Sequence, residues 1–258
     1  MSIIENKEIQ EKYFNSYTEE DYFGENLTPI FNKNLISEYL ERFDKNIRIL
    51  DFGCGNGKYG FTEHLIKLGF NVSFTDISAN SVNALKKRLE RLSLNYDLAE
   101  YGDISLVSKK IDKEYFDIIF FGDVFHHLTI EDTQIVLLSL KKILKNSKNI
   151  KGKIIGIEPN GKCPIWRLMP LYNKDFKWEI EKNIQFCTKQ NFEIKFKNSG
   201  FKLIEYQYVR FLPIFLVTNF KLFKKIDDIL IRLPIIRNYS QYTLLIAEPE
   251  WKDSNKYG

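Results

Sequence analysis

Between residues 49 and 60 the chain reads ILDFGCGNGKYG, an apolar run that ends in Asp51 and opens into Gly53, Gly55 and Gly57 before helix-forming residues resume. Glycines at such a junction allow a tight turn and let a ligand lie against bare backbone. A strand that ends this way and feeds a helix is the opening unit of an open, mostly parallel α/β sheet. The spacing is GxGxG, with Lys58 where the dinucleotide fingerprint GxGxxG requires its third glycine, and Asp51 stands two positions before the first glycine.

The rest of the chain agrees with that opening. TPIFNKNLISEYLERF, from about residue 28 to 43, places apolar residues at helical spacing behind Thr28 and Pro29, a cap and first-turn pair. Apolar runs then alternate with helical segments: IRILDFG, a helix through FTEHLIKLG, VSFTDI, a helix through SVNALKKRLERL, DLAEYGDI, and FDIIFFGDV. A helix through EDTQIVLLSLKKILK, a fifth strand in KGKIIGIEP, and a helix through TKQNFEIKFKNSGF closed by Gly200 follow. FKLIEYQYV and QYTLLIAEP supply strands six and seven. The expected fold is a seven-stranded, mostly parallel sheet with an antiparallel last strand and helices on both faces.

The glycine turn, the carboxylates after it and the order of elements resemble the class I S-adenosylmethionine (SAM)-dependent methyltransferases, over roughly residues 28 to 210 plus the final strand. The resemblance implies that Asp51, Gly53, Cys54, Gly55 and Gly57 hold the methionine end of SAM. It implies that Asp76, at the tip of strand two, takes both ribose hydroxyls while Ile77 packs on the adenine. Asp103 would accept from the adenine amino group, with the Ile104 N–H meeting a ring nitrogen. Gly122 would border the cofactor at the end of strand four. A carboxylate accepts two hydrogen bonds at once, which suits adjacent hydroxyls. An aspartate at a helix start also serves ordinarily as a cap.

Strand four ends in GDVFHHL, without the (D/N)PP(Y/F) tetrad of amino-group methylases that act on DNA bases or glutamine. If Asp123 opens a helical turn, it shares a face with His126 and His127. Such a group can align an acceptor hydroxyl and remove its proton, with His126 as first choice of base. Glu158, at the tip of strand five, is a second carboxylate on the same rim. The run D-x-x-H-H is similar to the E-x-x-E-H of ubiquinone-pathway O-methyltransferases, which is associated with a divalent cation; with His replacing the middle carboxylate, no metal is expected.

Within a single domain spanning 1–258, three segments surround the SAM-binding core of 28–158: an N-terminal lid at 1–27 and cap insertions at 159–187 and 211–239. Tyr13, Phe14, Tyr17 and Tyr22 are expected to close over SAM. FLPIFLV and NFKLFKKIDDILIRLPII interleave apolar residues with Lys221, Lys224, Lys225, Arg232 and Arg237. The favoured expectation is a helical cap whose apolar stripe faces the acceptor pocket or a partner subunit; peripheral docking on anionic lipid is the other.

Charge is balanced, 38 basic against 34 acidic residues, and interspersed, so nucleic acid is not implied. Cys54, Cys163 and Cys187 are odd in number and far apart, which fits a reducing cytoplasm, and no run is apolar and long enough to cross a bilayer. The function expected is methyl transfer from SAM to an oxygen of a small-molecule, sugar or lipid-linked acceptor, releasing S-adenosylhomocysteine. A SAM-binding scaffold without turnover, an N-methyltransferase and a pyridine-nucleotide oxidoreductase are the alternatives.

Overall fold

The structure, a computed structural model, describes residues 3–16, 27–57, 59–146, 151–172 and 177–250. Two helices, α1 (Ile3–Asn15) and α2 (Leu27–Leu40), precede the sheet. There follow β1 (Arg48–Phe52), α3 (Phe61–Lys67), β2 (Asn71–Asp76), α4 (Ala79–Arg91), β3 (Ala99–Tyr101), α5 (Ile104–Val107) and β4 (Ile118–Gly122). The second half adds α6 (Ile130–Ile143), β5 (Lys153–Pro159), α7 (Ile165–Tyr172), α8 (Trp178–Glu181), α9 (Lys189–Asn198) and β6 (Phe201–Val209). It ends with α10 (Ile214–Asn219), α11 (Lys221–Leu230) and β7 (Tyr242–Pro249).

The strand order is β3-β2-β1-β4-β5-β7-β6, parallel throughout except that β7 runs antiparallel to both β5 and β6. This is the expected sheet, with the predicted last strand inserted between its two predecessors. Alternation along the strands feeds two cores, as a sheet covered on both faces requires. Leu50, Phe52, Ile119 and Phe121 point to one, with Leu137 and Leu140 of α6 and Phe192 and Phe196 of α9. Ile49, Ile118 and Phe120 point to the other, with Ile36 and Leu40 of α2 and Phe61 and Leu65 of α3. Gly200 closes α9 at φ 70°.

Successive connections run outward from β1 in opposite directions, to β2 on one side and eventually to β4 on the other. Ligands of open α/β sheets bind beyond the carboxyl ends of the strands at such a reversal. β1 therefore delivers Asp51 and the glycine turn to the crevice, β2 delivers Asp76, and β4 and β5 deliver Asp123 and Glu158. Among the described residues no helix is long and apolar enough to cross a membrane.

Candidate active site

The turn after β1 is held from β2, since Gly53 and Cys54 both donate their N–H to the Thr75 carbonyl (2.8 and 3.1 Å). Gly53, Gly55 and Gly57 all have positive φ, of 73°, 54° and 82°. A Cβ on Gly55 would meet no atom within 4 Å, so its bare backbone faces open space at the crevice. Asp51 is buried and accepts from Thr62 Oγ1 at 2.5 Å. Its burial lifts the carboxyl to about 7 despite that hydrogen bond, with the Asp76 charge adding to the rise.

Asp76 accepts from Gly55 N (2.8 Å) through one carboxylate oxygen and from Ser78 N (2.9 Å) through the other. Each oxygen keeps a lone pair for a further donor. Ile77, beside it, is half-buried. Asp103 lies at the edge of the same crevice as the N-cap of α5, taking Ser105 N at 2.8 Å and pairing with Lys7. Its ordinary capping role is thus realised, and one oxygen is engaged by a lysine the sequence did not point to. Ile104 is buried in the core, and Gly102 before it has open space where a Cβ would stand.

Helix α1 crosses the strand tips above these groups. Lys7 reaches Asp103, Asn15 accepts from Ser78 Oγ (2.6 Å), and the Phe14 ring stands edge-on to His127 at 5.2 Å. Tyr13 packs on Phe14 at 5.2 Å, with Lys177 over its ring at 5.4 Å. Tyr17 and Tyr22 lie outside the described residues, as does Lys58.

At the tips of β4 and β5 one expectation is corrected. Asp123 does not open a helical turn: it adopts a left-handed conformation (φ 57°), and a short 3-10 turn over Phe125–His127 follows. Glu158, at the tip of β5, is fully buried, accepting from the N–H groups of Val124 and Phe125 (2.7 Å each) and His126 (3.3 Å). It fixes the turn that presents Asp123 and the histidines.

The same carboxylate meets His126 Nδ1 at 2.9 Å, while His126 Nε2 meets Glu181 at 3.1 Å. Burial disfavours charge on His126, but the hydrogen bonds and charges of Glu158 and Glu181 outweigh it and raise the imidazole to about 10. His126 is therefore a buried imidazolium donating at both nitrogens. It cannot take a proton near neutral pH, which removes the expected base. Burial and the adjacent His126 charge instead hold His127 down at about 4, and it stays neutral.

Asp123 is raised to about 7 by burial, against the pull of His126, with Glu158 and Glu181 adding to the rise. Glu181 was not among the sequence candidates. Burial works against its charge, yet His127 and His126 hold it down at about 2. Nothing in KWEIEKN marks this glutamate out, because its partner lies 55 positions earlier in the chain.

His126, His127 and Glu181 bring one donor atom each within 4.8 Å of one another. Two imidazoles and a carboxylate suit a borderline divalent ion better than magnesium. A cation held there would take the place of the proton between His126 Nε2 and Glu181, with Glu158 still accepting from Nδ1.

Residues 50–147 match a family described as a methyltransferase domain, and this stretch runs from within β1 through α6 and contains the glycine turn. In this match, as in its sheet order and crevice, the chain is similar to the class I SAM-dependent methyltransferases. The ubiquinone biosynthesis O-methyltransferase of Pelagibacter ubique is 25% identical over 223 residues, covering 76% of this chain and 87% of that protein. A SAM-dependent methyltransferase from Archaeoglobus fulgidus superposes with a TM-score of 0.59 at 16% identity, over 89% of this chain and 97% of its own. Magnesium protoporphyrin IX methyltransferase from Synechocystis, solved with bound SAH, gives 0.62 at 13% identity over 95% and 100%.

Proposed function

We propose that this methyltransferase transfers the methyl group to an oxygen of a small-molecule, sugar or lipid-linked acceptor, with Asp123 as the proton acceptor. SAM supplies an electrophilic methyl on a sulfonium. The residues supply position. The backbone of Gly53, Cys54, Gly55 and Gly57 and the carboxylate of Asp51 hold the amino-acid end, and Asp76 takes the ribose hydroxyls on its remaining lone pairs. Ile77, Asp103 and Ile104 border the adenine, Gly122 borders the methyl, and Tyr13 and Phe14 of α1 cover the mouth.

The observation that carries the reading is the division of labour at the end of β4. Glu158, His126 and Glu181 form a fixed charged frame, leaving Asp123 as the carboxyl poised near neutral pH. A base matched to working pH combines availability with driving force for taking the acceptor's proton. Buried counter-charges hold it in place without reorganisation during the reaction. Oxygen rather than nitrogen is favoured because an alcohol or phenol must lose a proton, and because the Pelagibacter ubique relative is an O-methyltransferase.

The test is to incubate the protein with methyl-tritiated SAM and cytoplasmic plus membrane extract of a producing host, then partition the label. Transfer to an alkali-stable ether in either phase agrees with the reading, and the phase separates lipid-linked from soluble acceptors. Label appearing solely on amine nitrogen, or SAM bound without transfer to any fraction, contradicts it.

A further inference from the structure

The segment between β6 and β7 presents a surface that the methyl-transfer site does not use. On α11, Leu222 and Ile229 stand two turns apart on one face and are 67% and 59% exposed. Phe220 just before the helix, and Leu233 and Ile235 just after it, are exposed as well. Scattered apolar side chains at a surface are ordinary, but five large ones within residues 220–235 are a concentration that marks a contact face. Phe223, Ile226 and Leu230 of the same helix are half-buried, whereas Leu222 and Ile229 face outward.

Charge decides what covers it. At helical periodicity Lys221 and Lys225 fall within about 40° of one another, along one border of the Leu222–Ile229 face, and Arg232 follows just beyond the end of the helix. All three are exposed. Asp228, exposed beside Lys221 on that border, offsets one of these charges and leaves the row net basic, whereas Asp227 is on the opposite, buried side, accepting from Phe211 N (2.8 Å) and Leu212 N (2.6 Å). A second copy docking by two-fold symmetry would set the basic row near its own image, at a cost in like-charge repulsion.

We propose that this face docks on an anionic lipid bilayer. Leu222, Ile229 and their neighbours enter the headgroup boundary while Lys221, Lys225 and Arg232 lie against lipid phosphates. The inference rests on this surface alone and holds whichever acceptor receives the methyl group.

Co-sedimentation of the full chain with vesicles of phosphatidylcholine plus phosphatidylglycerol, and with phosphatidylcholine alone, tests it. The expected result is binding to the anionic vesicles only, weakened about fivefold by Lys225→Ala or Arg232→Ala. Leu222→Glu combined with Ile229→Glu should abolish binding, with an unchanged thermal melt showing that the fold persists. Should the melt change, the two single alanine variants at exposed positions decide the matter. Wild-type protein that ignores anionic vesicles or binds both kinds equally overturns the proposal, as does binding insensitive to these substitutions. A wild-type dimer that the double variant converts to monomer overturns it in favour of a second copy.

Discussion

Asp123 is held in a left-handed backbone conformation that aspartate and asparagine tolerate better than most residues. Its carboxyl, lifted to about 7, sits beside a histidine raised to about 10. If Asp123 takes the acceptor's proton, kcat/KM should climb with pH through about 7 and level off above it, as initial rates across a buffer series will show. A flat profile below 7 would assign the proton elsewhere. His126 has a different part to play. Its imidazolium satisfies two carboxylates, Glu158 and Glu181, so His126→Ala leaves them without their counter-charge and should cost about 3–5 kcal/mol of stability. Denaturant melts of the two proteins measure this. Since the folded-state histidine is raised from its ordinary value, its contribution is complete below about 6.5 and is lost as pH rises through about 10, so the gap between wild type and variant should narrow over that interval. An equally stable variant would mean that the cluster is not charged as described.

At the scale of elements, the sheet is packed to the point where single atoms matter. A Cβ on Gly156 of β5 would lie 2.0 Å from the Phe121 ring of the neighbouring strand β4. Gly156→Ala should therefore destabilise the fold by about 1–3 kcal/mol through overpacking, read from thermal or denaturant unfolding, and a neutral result would mean that the ring can move aside. Most elements were legible because strand and helix periodicities are strong in buried parallel sheets: β1, β2, β4 through β7, α4, α6 and α9 lie where the pattern puts them. β3 is shorter than DLAEYGDI implies, since at the sheet edge only Ala99–Tyr101 find a partner strand. α1 was read only as a lid segment. Its composition is polar, and what places it is tertiary: the contacts of Lys7, Phe14 and Asn15 with groups distant in sequence. The turn and strand-tip carboxylates proposed to hold the cofactor are local sequence, and the structure brings them to one crevice. The roles of Glu158, His126 and Glu181 were not legible in the sequence, because they arise from charges that meet only after folding.

Across the whole molecule, the proposed function divides the crevice into a cofactor half at the tips of β1 to β3 and an acceptor half at the tips of β4 and β5. Substitutions in the two halves should separate. Asp76→Ala, in the first, should weaken SAM binding by about 1–3 kcal/mol in a calorimetric titration, since hydrogen bonds to a carboxylate are lost. Unchanged affinity would take Asp76 out of the site. Turnover should survive prolonged dialysis against a chelator, because the histidine and glutamate cluster is satisfied by its own proton; loss of rate restored by a divalent ion would show instead that a cation takes that proton's place.

The central claim is tested most directly by measuring S-adenosylhomocysteine release by wild type and Asp123→Asn at saturating SAM, with acceptor-containing extract present. The account predicts that the variant, whose side chain keeps the shape and the backbone conformation, binds SAM as wild type does but turns over about 10²–10⁴-fold more slowly. Equal turnover by the two proteins at equal SAM occupancy would contradict it.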